Sequence, residues 1–215
     1  MSFVPAVVIP IYNHKETIAA VVARLADYDV PVFIVDDGSD EETQRTLAAV
    51  ADRERLVRLS RLPENVGKDA AVMHGLREAF AAGCTHALQV DADGQHDLAD
   101  VPRFLEQSRI QPHAVVAGCP RYDESAPACR RYGRYVTHFW VWVETLSFAI
   151  GDSMCGFRVY PLAASVALID RHRLPTRMTF DTEIIVRLFW MGLPVVNLET
   201  RVIYPPGGLS HFRMW

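Results

Sequence analysis

Apolar segments of strand length alternate with amphipathic segments of helix length over the first 118 residues of this chain. Parallel strands need a crossover connection, so this alternation favours a mostly parallel sheet with helices on both faces. The strands are predicted at residues 6–11, 32–35, 56–59, 86–90 and 114–117, and the helices at 14–26, 41–51, 67–82 and 97–107. The pattern therefore predicts an α/β fold.

The second part of the chain does not continue this regular alternation of strands and helices. A polar loop is predicted at 119–130, followed by a long aromatic helix at 131–150 and another loop at 151–156. A strand at 157–160, helices from 161 and over 180–191, and strands near 195 and 202 follow. No repeat or linker interrupts the chain, and we expect a single domain over 1–215. The chain stops just after Gly207-Gly208, and we expect a C-terminal truncation.

Composition and charge exclude several classes of protein. The 215 residues carry a formal net charge of −4, which argues against nucleic acid as a partner because phosphate contacts need a basic surface. The four cysteines form no Cys-x-x-Cys pattern and are typical of a reduced, cytoplasmic protein. We expect neither a signal peptide nor a transmembrane helix, since no basic leader and no apolar run of about 18 residues occurs.

The predicted strand at 86–90 ends in two carboxylates, Asp91 and Asp93, followed by Gly94, Gln95 and His96. The carboxyl ends of strands in an open α/β sheet are where ligands bind. Alternate residues of extended backbone point the same way, so both carboxylates can face one cation. Hard oxygen ligands suit Mg²⁺ or Mn²⁺. The alternative is a turn in which Asp and Gly serve the backbone alone.

Polar groups also follow the first three predicted strands. Asp37, after the second strand, can accept hydrogen bonds from a base or ribose, and Tyr12, after the first, can stack on a base. Gly67 permits close backbone approach, and Lys68 near a helix start can meet a phosphate. A turn with a helix cap also explains the Asp37 segment. Neither a dinucleotide-binding glycine pattern nor a P-loop is present.

Taken together, these segments resemble the ordered motifs of family 2 glycosyltransferases, which are inverting, metal-dependent enzymes with a GT-A fold. The later segments are similar to the dolichyl-phosphate (polyprenyl-phosphate) mannosyltransferase branch. The resemblance covers essentially the whole chain. The motifs that carry it are at residues 8–13, 35–39, 65–68, 91–96, 152–158, 180–183 and 207–213. It implies a nucleotide-sugar-binding half at 1–118 and an acceptor-side half at 119–215.

The resemblance assigns roles to particular residues. The nucleotide of a UDP or GDP sugar would meet Asp37, Pro10, Tyr12 and Glu16, with Gly67, Lys68 and Asp91 nearby. A divalent cation, Mg²⁺ or Mn²⁺, would be held by Asp91, Asp93 and Gln95, and Asp93 is counted as catalytic because the cation stabilises the leaving diphosphate. Phosphates of donor or acceptor would meet Arg121, Arg131 (or its neighbour Arg130) and Arg213. A solvated loop face is the alternative for the arginines.

The acceptor is left open by the sequence. A hydroxyl acceptor needs a carboxylate base, for which Asp181 and Glu183 are the candidates, although acids in a first helical turn also complement the helix dipole. A polyprenyl-phosphate acceptor is already an anion and needs cations instead. The paired glycines at 207 and 208 further predict that residues 207–215 close over the site.

The aromatic helix bears on the same question. Its aromatic residues nearly encircle it, which favours a buried core helix over a surface that faces a lipid or a membrane. A membrane-facing surface would make the protein peripheral at the inner face of a membrane. Two other functions are alternatives. A sugar nucleotidyltransferase would normally show a glycine-rich basic loop after the first strand, and a non-catalytic nucleotide-sugar-binding protein would not need both Asp91 and Asp93.

Overall fold

The computed structural model describes residues 2–121, 128–172, 174 and 179–202, with residues 128–133 described as backbone only. Its strands form one seven-stranded sheet in the order β3-β2-β1-β4-β6-β5-β7. The strands are β1 (Pro5–Ile11), β2 (Val32–Asp36), β3 (Val57–Arg61), β4 (His86–Gln89), β5 (Val115–Arg121), β6 (Arg158–Pro161) and β7 (Val195–Arg201).

All neighbouring strands run parallel except at β6, which is antiparallel to both β4 and β5. The mostly parallel α/β sheet predicted from the alternating pattern is confirmed. In the β4–β6 register Gln89 lies opposite Arg158, so the start of β6 reaches the sheet edge at which β4 ends.

The described helices cover both faces of the sheet. They are α1 (Lys15–Ala26), α2 (Glu41–Arg53), α3 (Lys68–Ala81), α4 (Val101–Ile110), α5 (Ala128–Thr145), α6 (Leu162–Arg171) and α7 (Phe180–Trp190). Alternate residues of β1 show the two layers: Val7 and Ile9 pack with α1, α2 and α4, whereas Ala6 and Val8 pack with α3, α6 and α7. This alternation follows from the two-residue period of a strand.

The start of α2 shows how the short βα loops are fixed. Asp40 is its N-cap, and the Asp40 carboxylate accepts a hydrogen bond from Thr43 N at 2.8 Å. Ser39, the other predicted cap, instead accepts a hydrogen bond from Asn13 N at 3.0 Å. The loop after β1 is thereby joined to the loop after β2, and two strand ends are held side by side.

The structure corrects three predicted boundaries. The strand β5 continues to Arg121 and α5 begins at Ala128, so the predicted loop at 119–130 is shorter at both ends. Helix α5 stops at Thr145 because Leu146 adopts φ 48°, a left-handed conformation that ends the helix before Ile150. The two strands predicted near 195 and 202 are one strand, β7, followed by a bridge between Val202 and His96.

The interpretation of α5 as a buried core helix is wrong. Val141 and His138 are buried, but a broad apolar face is exposed to solvent. We call this face, together with the turn that follows it, the α5 apolar face; it comprises Tyr135, Val136, Phe139, Trp140, Val143, Leu146 and Phe148. The aromatics encircle the helix in sequence, but only one side of the described part of α5 packs against the protein, where α7 is its main neighbour. Within the described part of the chain, no helix combines the length and apolarity needed to cross a membrane.

Candidate active site

The candidate site lies at the edge of the sheet where β1, β2 and β4 end. Pro10 is buried within β1, and Tyr12, just beyond this strand, is 42% exposed. Asn13 follows with φ 54°, and its side-chain oxygen accepts a hydrogen bond from Asp40 N at 2.9 Å. Glu16 is exposed in the first turn of α1. The first strand end therefore presents an aromatic ring above a loop that is already fixed by hydrogen bonds.

Two buried aspartates organise the end of β2. Asp36 pairs with Arg61 at 2.7 Å and accepts a hydrogen bond from Ser39 N at 2.9 Å. Asp37 accepts hydrogen bonds from the backbone N–H groups of Val66 at 2.9 Å and Gly67 at 3.0 Å. Both oxygens of the predicted nucleotide-binding carboxylate thus hold the loop that leads into α3.

Gly38 is required at this position by both backbone and space. Its φ is 72°, and a Cβ there would lie 2.6 Å from the carbonyl carbon of Glu64. Because the loops after β2 and β3 approach so closely, any other side chain would push them apart. The close approach brings Asp37 within reach of the start of α3.

Lys68, the first residue of α3, turns toward the end of β4. Its Nζ lies 2.7 Å from Oδ1 and 2.8 Å from Oδ2 of Asp91. Gly67 before it has φ 111°, a conformation that glycine readily adopts. The predicted phosphate ligand and the predicted metal ligand are therefore in contact with each other in the protein alone.

The Lys68–Asp91 pair is ionised. Loss of water around Nζ opposes the ammonium even though the side chain as a whole is 42% exposed, but Asp91 and Asp181 outweigh this and hold the pKa of Lys68 above its ordinary value. Burial likewise opposes the Asp91 carboxylate, but Lys68 and His96 outweigh it and hold the pKa of Asp91 well below its ordinary value. Opposite charges at hydrogen-bond distance favour both charged forms.

The turn after Asp91 is fixed by short hydrogen bonds. Asp93 Oδ1 accepts a hydrogen bond from Gln95 N at 3.0 Å, and Gly94 has φ 72°. Thr17 of α1 donates its hydroxyl to Ala92 O at 2.5 Å. Asp91, Asp93 and Gln95 thus lie in one tight turn anchored to α1.

His96 is a supporting group in this turn. Its side chain is buried, its ring lies 5.0 Å from that of Phe157, and its Nε2 is 3.7 Å from Asp91 Oδ2. The imidazole limits how far the Asp91 carboxylate can rotate.

The chemistry of this turn fits Mg²⁺ or Mn²⁺ bridged by a substrate. Two carboxylates and an amide oxygen are hard ligands. Across the described ranges, no three side chains of His, Cys, Asp or Glu are gathered closely enough to form a complete metal site. Mg²⁺ typically uses one or two carboxylates together with substrate phosphates. The residues therefore suit a cation that arrives with a diphosphate.

The two candidate bases lie in different surroundings. Asp181, in the first turn of α7, accepts a 3.4 Å hydrogen bond from Gln89 Nε2 and raises the pKa of Lys68. Glu183, two residues later, pairs with Arg187 at 2.6 Å. The structure therefore brings Asp181 to the Lys68–Asp91 pair and turns Glu183 into an ion pair along the helix.

A cavity of about 530 Å³ opens between α5 and α7, and of the two candidate bases Glu183 lines it. Glu183 and Arg187 lie on one wall and Trp190 stands near them. The remaining lining residues are Thr137, Glu144, Met154, Thr179, Thr182 and Val186. Its mixture of charged, hydroxyl and apolar groups suits a ligand with a polar head and an apolar body.

Four residues of the site were not predicted to have a role. Gln89 is fully buried and connects Asp181 to Tyr160, whose hydroxyl donates to Gln89 Oε1 at 3.2 Å. A Cβ at Gly156 would lie 2.7 Å from Gln89 Nε2 and 3.3 Å from Asp91 Oδ1. An amide inside an otherwise apolar strand was the available signal for Gln89, whereas the need for glycine at 156 depends on the fold.

Arg158 and Asp69 are the other two. Arg158 is fully buried and donates to the carbonyls of Asp181 at 2.7 Å and of Ser153 and Cys155 at 3.2 Å. Asp69 accepts a hydrogen bond from Phe180 N at 3.1 Å. Burial, followed by repulsion from Asp181, raises the pKa of Asp69 to about 6. Both residues fix the start of α7, and the charged Arg158 in an apolar strand was a visible signal.

The predicted phosphate-binding arginines are only partly described. Arg121 ends β5 and pairs with Glu199 of β7, with both side chains largely exposed. Arg131, like Arg130, lies in α5 where only the backbone is described, and Arg213 with the predicted closing segment 207–215 lies outside the described residues. Another arginine of α5, Arg134, pairs with the buried Asp152 at 2.5 Å. The role of Arg121, Arg131 and Arg213 as phosphate ligands stays a prediction.

The comparisons with known proteins agree with this geometry. A family model described as glycosyl transferase family 2 matches residues 6–172. The chain belongs to the family 2 glycosyltransferases. The enzyme class predicted from the motifs is confirmed, and membership in this family disfavours the nucleotidyltransferase.

The curated relatives of this glycosyltransferase include proteins named for polyprenyl-phosphate acceptors. Dolichyl-phosphate beta-glucosyltransferase ALG5C of Trichomonas vaginalis is 26% identical over 204 residues, which cover 83% of this chain and 58% of the relative. Polyprenol monophosphomannose synthase of Mycolicibacterium smegmatis is 28% identical over 169 residues, which cover 72% and 60%. The chain therefore spans less than two thirds of the length of either relative.

Solved structures confirm the GT-A fold of the glycosyltransferase. The mannosyltransferase PcManGT of Pyrobaculum calidifontis, in complex with GDP-Man and Mn²⁺, matches with a TM-score of 0.67 at 18% identity, covering 95% of this chain and 58% of that one. TarS 1–349 of S. aureus, in complex with UDP, matches with a TM-score of 0.64 at 15% identity, covering 95% and 61%.

Proposed function

We propose that this glycosyltransferase transfers a sugar, with inversion, from a UDP or GDP sugar to a polyprenyl-phosphate or other lipid-linked acceptor, with a divalent cation bound. The observation that carries the proposal is the convergence of Asp91, Asp93 and Lys68 at the sheet edge where β1, β2 and β4 end. The chain's two cited relatives are named for phosphate-bearing lipid acceptors, and its cited structural neighbours were solved with UDP or GDP-Man.

The donor side comprises the ends of β1, β2 and β4 and the start of α3. Tyr12 offers its exposed ring to the base, and the loop held by Asp37 forms the floor beneath it. Asp91 and Asp93 would hold the cation together with Gln95. That cation supplies electrostatic stabilisation of the departing diphosphate. The N-terminus of α3 adds a positive dipole at the same edge.

The acceptor side comprises α5, α7 and the loop 151–156. The cavity there can take a phosphate head beside Arg187. Helix α5, which contributes Thr137 and Glu144 to the cavity wall, also carries the α5 apolar face as a surface for a lipid chain. Exposed Trp, Tyr and Phe side chains are typical of helices that lie at a membrane interface. We therefore propose peripheral attachment to the inner face of a cytoplasmic membrane.

A hydroxyl acceptor is the second candidate, and the position of Asp181 favours it over a base at Glu183. Asp181 is oriented by Gln89 and lies close to Lys68, whereas the Glu183 carboxylate is engaged by Arg187. A phosphate acceptor needs no general base, and a hydroxyl acceptor does. The two proposals therefore differ in what they require of Asp181.

The test is transfer of radiolabelled sugar from UDP and GDP sugars, with Mn²⁺ or Mg²⁺, to a short polyprenyl phosphate and separately to the matching polyprenol. We expect metal-dependent transfer to the phosphate that survives in Asp181→Asn within about tenfold. Glu183→Gln, which removes the neighbouring carboxylate of the same turn, is the matched control. Transfer to the polyprenol alone, lost by orders of magnitude in Asp181→Asn while donor still binds, would establish the hydroxyl acceptor instead.

A further inference from the structure

We propose that Lys68 is a displaceable internal cation. Its ammonium neutralises Asp91 while no donor is bound, and it leaves Asp91 when a divalent cation arrives with the nucleotide. This inference rests on the proposed metal-dependent donor binding, and it adds a competition between a residue of the chain and the metal. Lys68 would then weaken the binding of metal alone and strengthen the binding of metal together with nucleotide.

The geometry of the pair is the first argument. Nζ of Lys68 lies within hydrogen-bond distance of both oxygens of Asp91, at 2.7 and 2.8 Å. His96 and Gly156 crowd the other sides of the same carboxylate. A divalent cation on either oxygen would therefore lie close to an ammonium, and like charges at such distances repel strongly. Asp91 therefore cannot bind the Lys68 ammonium and a divalent cation equally well at the same time.

The position of Lys68 in its helix is the second argument. It is the first residue of α3, where the positive end of the helix dipole disfavours a cation. Carboxylates compensate for this placement: Asp91 first, then Asp181 and Asp93. A lysine at this position is therefore held by the acidic groups around it, and its stabilisation falls once a metal neutralises them.

The third argument is that the Lys68 side chain has space to adopt another conformation. Its side chain is 42% exposed, and a four-carbon stem lets the ammonium swing without moving the backbone. Asp181 lies on the acceptor side within its electrostatic reach, and a diphosphate bound at the helix start would offer oxygens nearby. Release from Asp91 therefore leaves the ammonium available to a phosphate, as the sequence predicted for it.

The experiment measures Mn²⁺ affinity by electron paramagnetic resonance, first without and then with GDP or UDP. Lys68→Met removes the ammonium and keeps the length of the side chain, and we expect it to bind Mn²⁺ at least tenfold more tightly than the wild type when no nucleotide is present. With nucleotide, this advantage should shrink or reverse, because Lys68 then assists the diphosphate. Lys15→Met is the matched control, since Lys15 is the chain's other lysine and pairs with Glu42.

Two results would overturn the inference. One is nucleotide-dependent Mn²⁺ binding in the wild type with an unchanged or weaker metal affinity in Lys68→Met. The other is no Mn²⁺ binding by either protein with any nucleotide, which would also remove the metal from the proposed function and so is distinguishable from the first. If Lys68→Met does not fold, Lys68→Gln replaces it, and the rise in its melting temperature with Mn²⁺ should exceed that of the wild type.

Discussion

The proposed donor side and the proposed acceptor side of this glycosyltransferase differ in how much apolar side-chain surface they leave exposed to solvent. On the donor side, Asp36, Asp37 and Asp91 each accept a hydrogen bond or form an ion pair within the protein. On the acceptor side, the α5 apolar face lies open to solvent and Glu183 pairs with Arg187 of its own helix. Both sides pair their buried carboxylates, as Asp152 with Arg134 shows on the acceptor side, but the acceptor side also presents a broad apolar surface to solvent.

This difference has a physical basis. A buried carboxylate is costly unless it is hydrogen-bonded or paired, so the donor side must complete its own network to fold. Exposed aromatic side chains cost little in folding and become favourable only when another apolar surface covers them. The predictions below test each half of this contrast.

The largest effect is expected at Asp93. Asp93→Ala should abolish metal-dependent nucleotide binding, a loss of at least a hundredfold, because removing one of the two carboxylates of the turn leaves Asp91 as the only carboxylate there for the cation. Calorimetry with UDP or GDP and Mn²⁺ measures it. Asp52→Ala, an exposed carboxylate of α2, is the control. Unchanged affinity and metal dependence in Asp93→Ala would contradict the assignment of this turn.

Asp37→Ala should reduce both nucleotide affinity and stability. It removes two hydrogen bonds to a charged acceptor and leaves the N–H groups of Val66 and Gly67 without it. We expect the free energy of unfolding to fall by about 3 kcal/mol. Urea denaturation followed by circular dichroism measures this. Asp40→Ala, which removes only the cap of α2, should cost about 1 kcal/mol. Equal costs for the two variants would show that Asp37 is no more than a cap.

The fold and the donor side were largely predictable from the sequence, for reasons that particular residues show. Val7 and Val8 of β1 pack on opposite faces because strand periodicity is local. Asp37, Lys68 and Asp91 follow separate strands, and a parallel sheet brings strand ends to one edge. The contact between Lys68 and Asp91 was not predictable, because it depends on which way a flexible side chain turns once the loops are packed.

The acceptor side was less predictable because its properties depend on tertiary packing. The aromatics of α5 encircle the helix in sequence, and only the fold decides that Val141 is buried while Trp140 is exposed. Similarly, Asp181 and Glu183 look equivalent in sequence. The partners Gln89 and Arg187, which distinguish them, come from β4 and from one turn further along α7.

Asp69, which joins α3 to the start of α7, should make the free energy of unfolding depend on pH. The pKa of Asp69 is about 6 in the folded protein, against an ordinary value of 3.8. Between these values the folded state holds a proton that the unfolded state releases, so the free energy of unfolding falls as pH rises through this window. Asp69→Asn cannot ionise and keeps an oxygen for Phe180 N. It should therefore lack this fall and exceed the wild type by up to about 3 kcal/mol above pH 6.

The measurement is urea denaturation of wild type and Asp69→Asn from pH 4 to 8, compared as a difference so that other titrating groups cancel. Asp52→Asn is the control for loss of an exposed carboxylate. A difference between wild type and Asp69→Asn that stays constant across the whole range would show that Asp69 has no raised pKa.

The smallest effect, and the one most specific to the acceptor side, concerns the α5 apolar face. Phe139 and Trp140 are 55% and 59% exposed, so the double variant Phe139→Ser/Trp140→Ser should change the free energy of unfolding by no more than about 0.5 kcal/mol. Sedimentation with phosphatidylcholine–phosphatidylglycerol vesicles should nevertheless show about tenfold weaker binding, because two aromatic side chains no longer enter the interface. Ile110→Ser removes a similarly exposed apolar group from α4, on the opposite face of the sheet, and should leave vesicle binding unchanged. Equal vesicle binding by all three proteins would mean that the α5 apolar face has another partner. A large loss of stability in the double variant would mean that Phe139 and Trp140 support the fold. The contrast between the two sides would then be weaker than the exposed areas indicate.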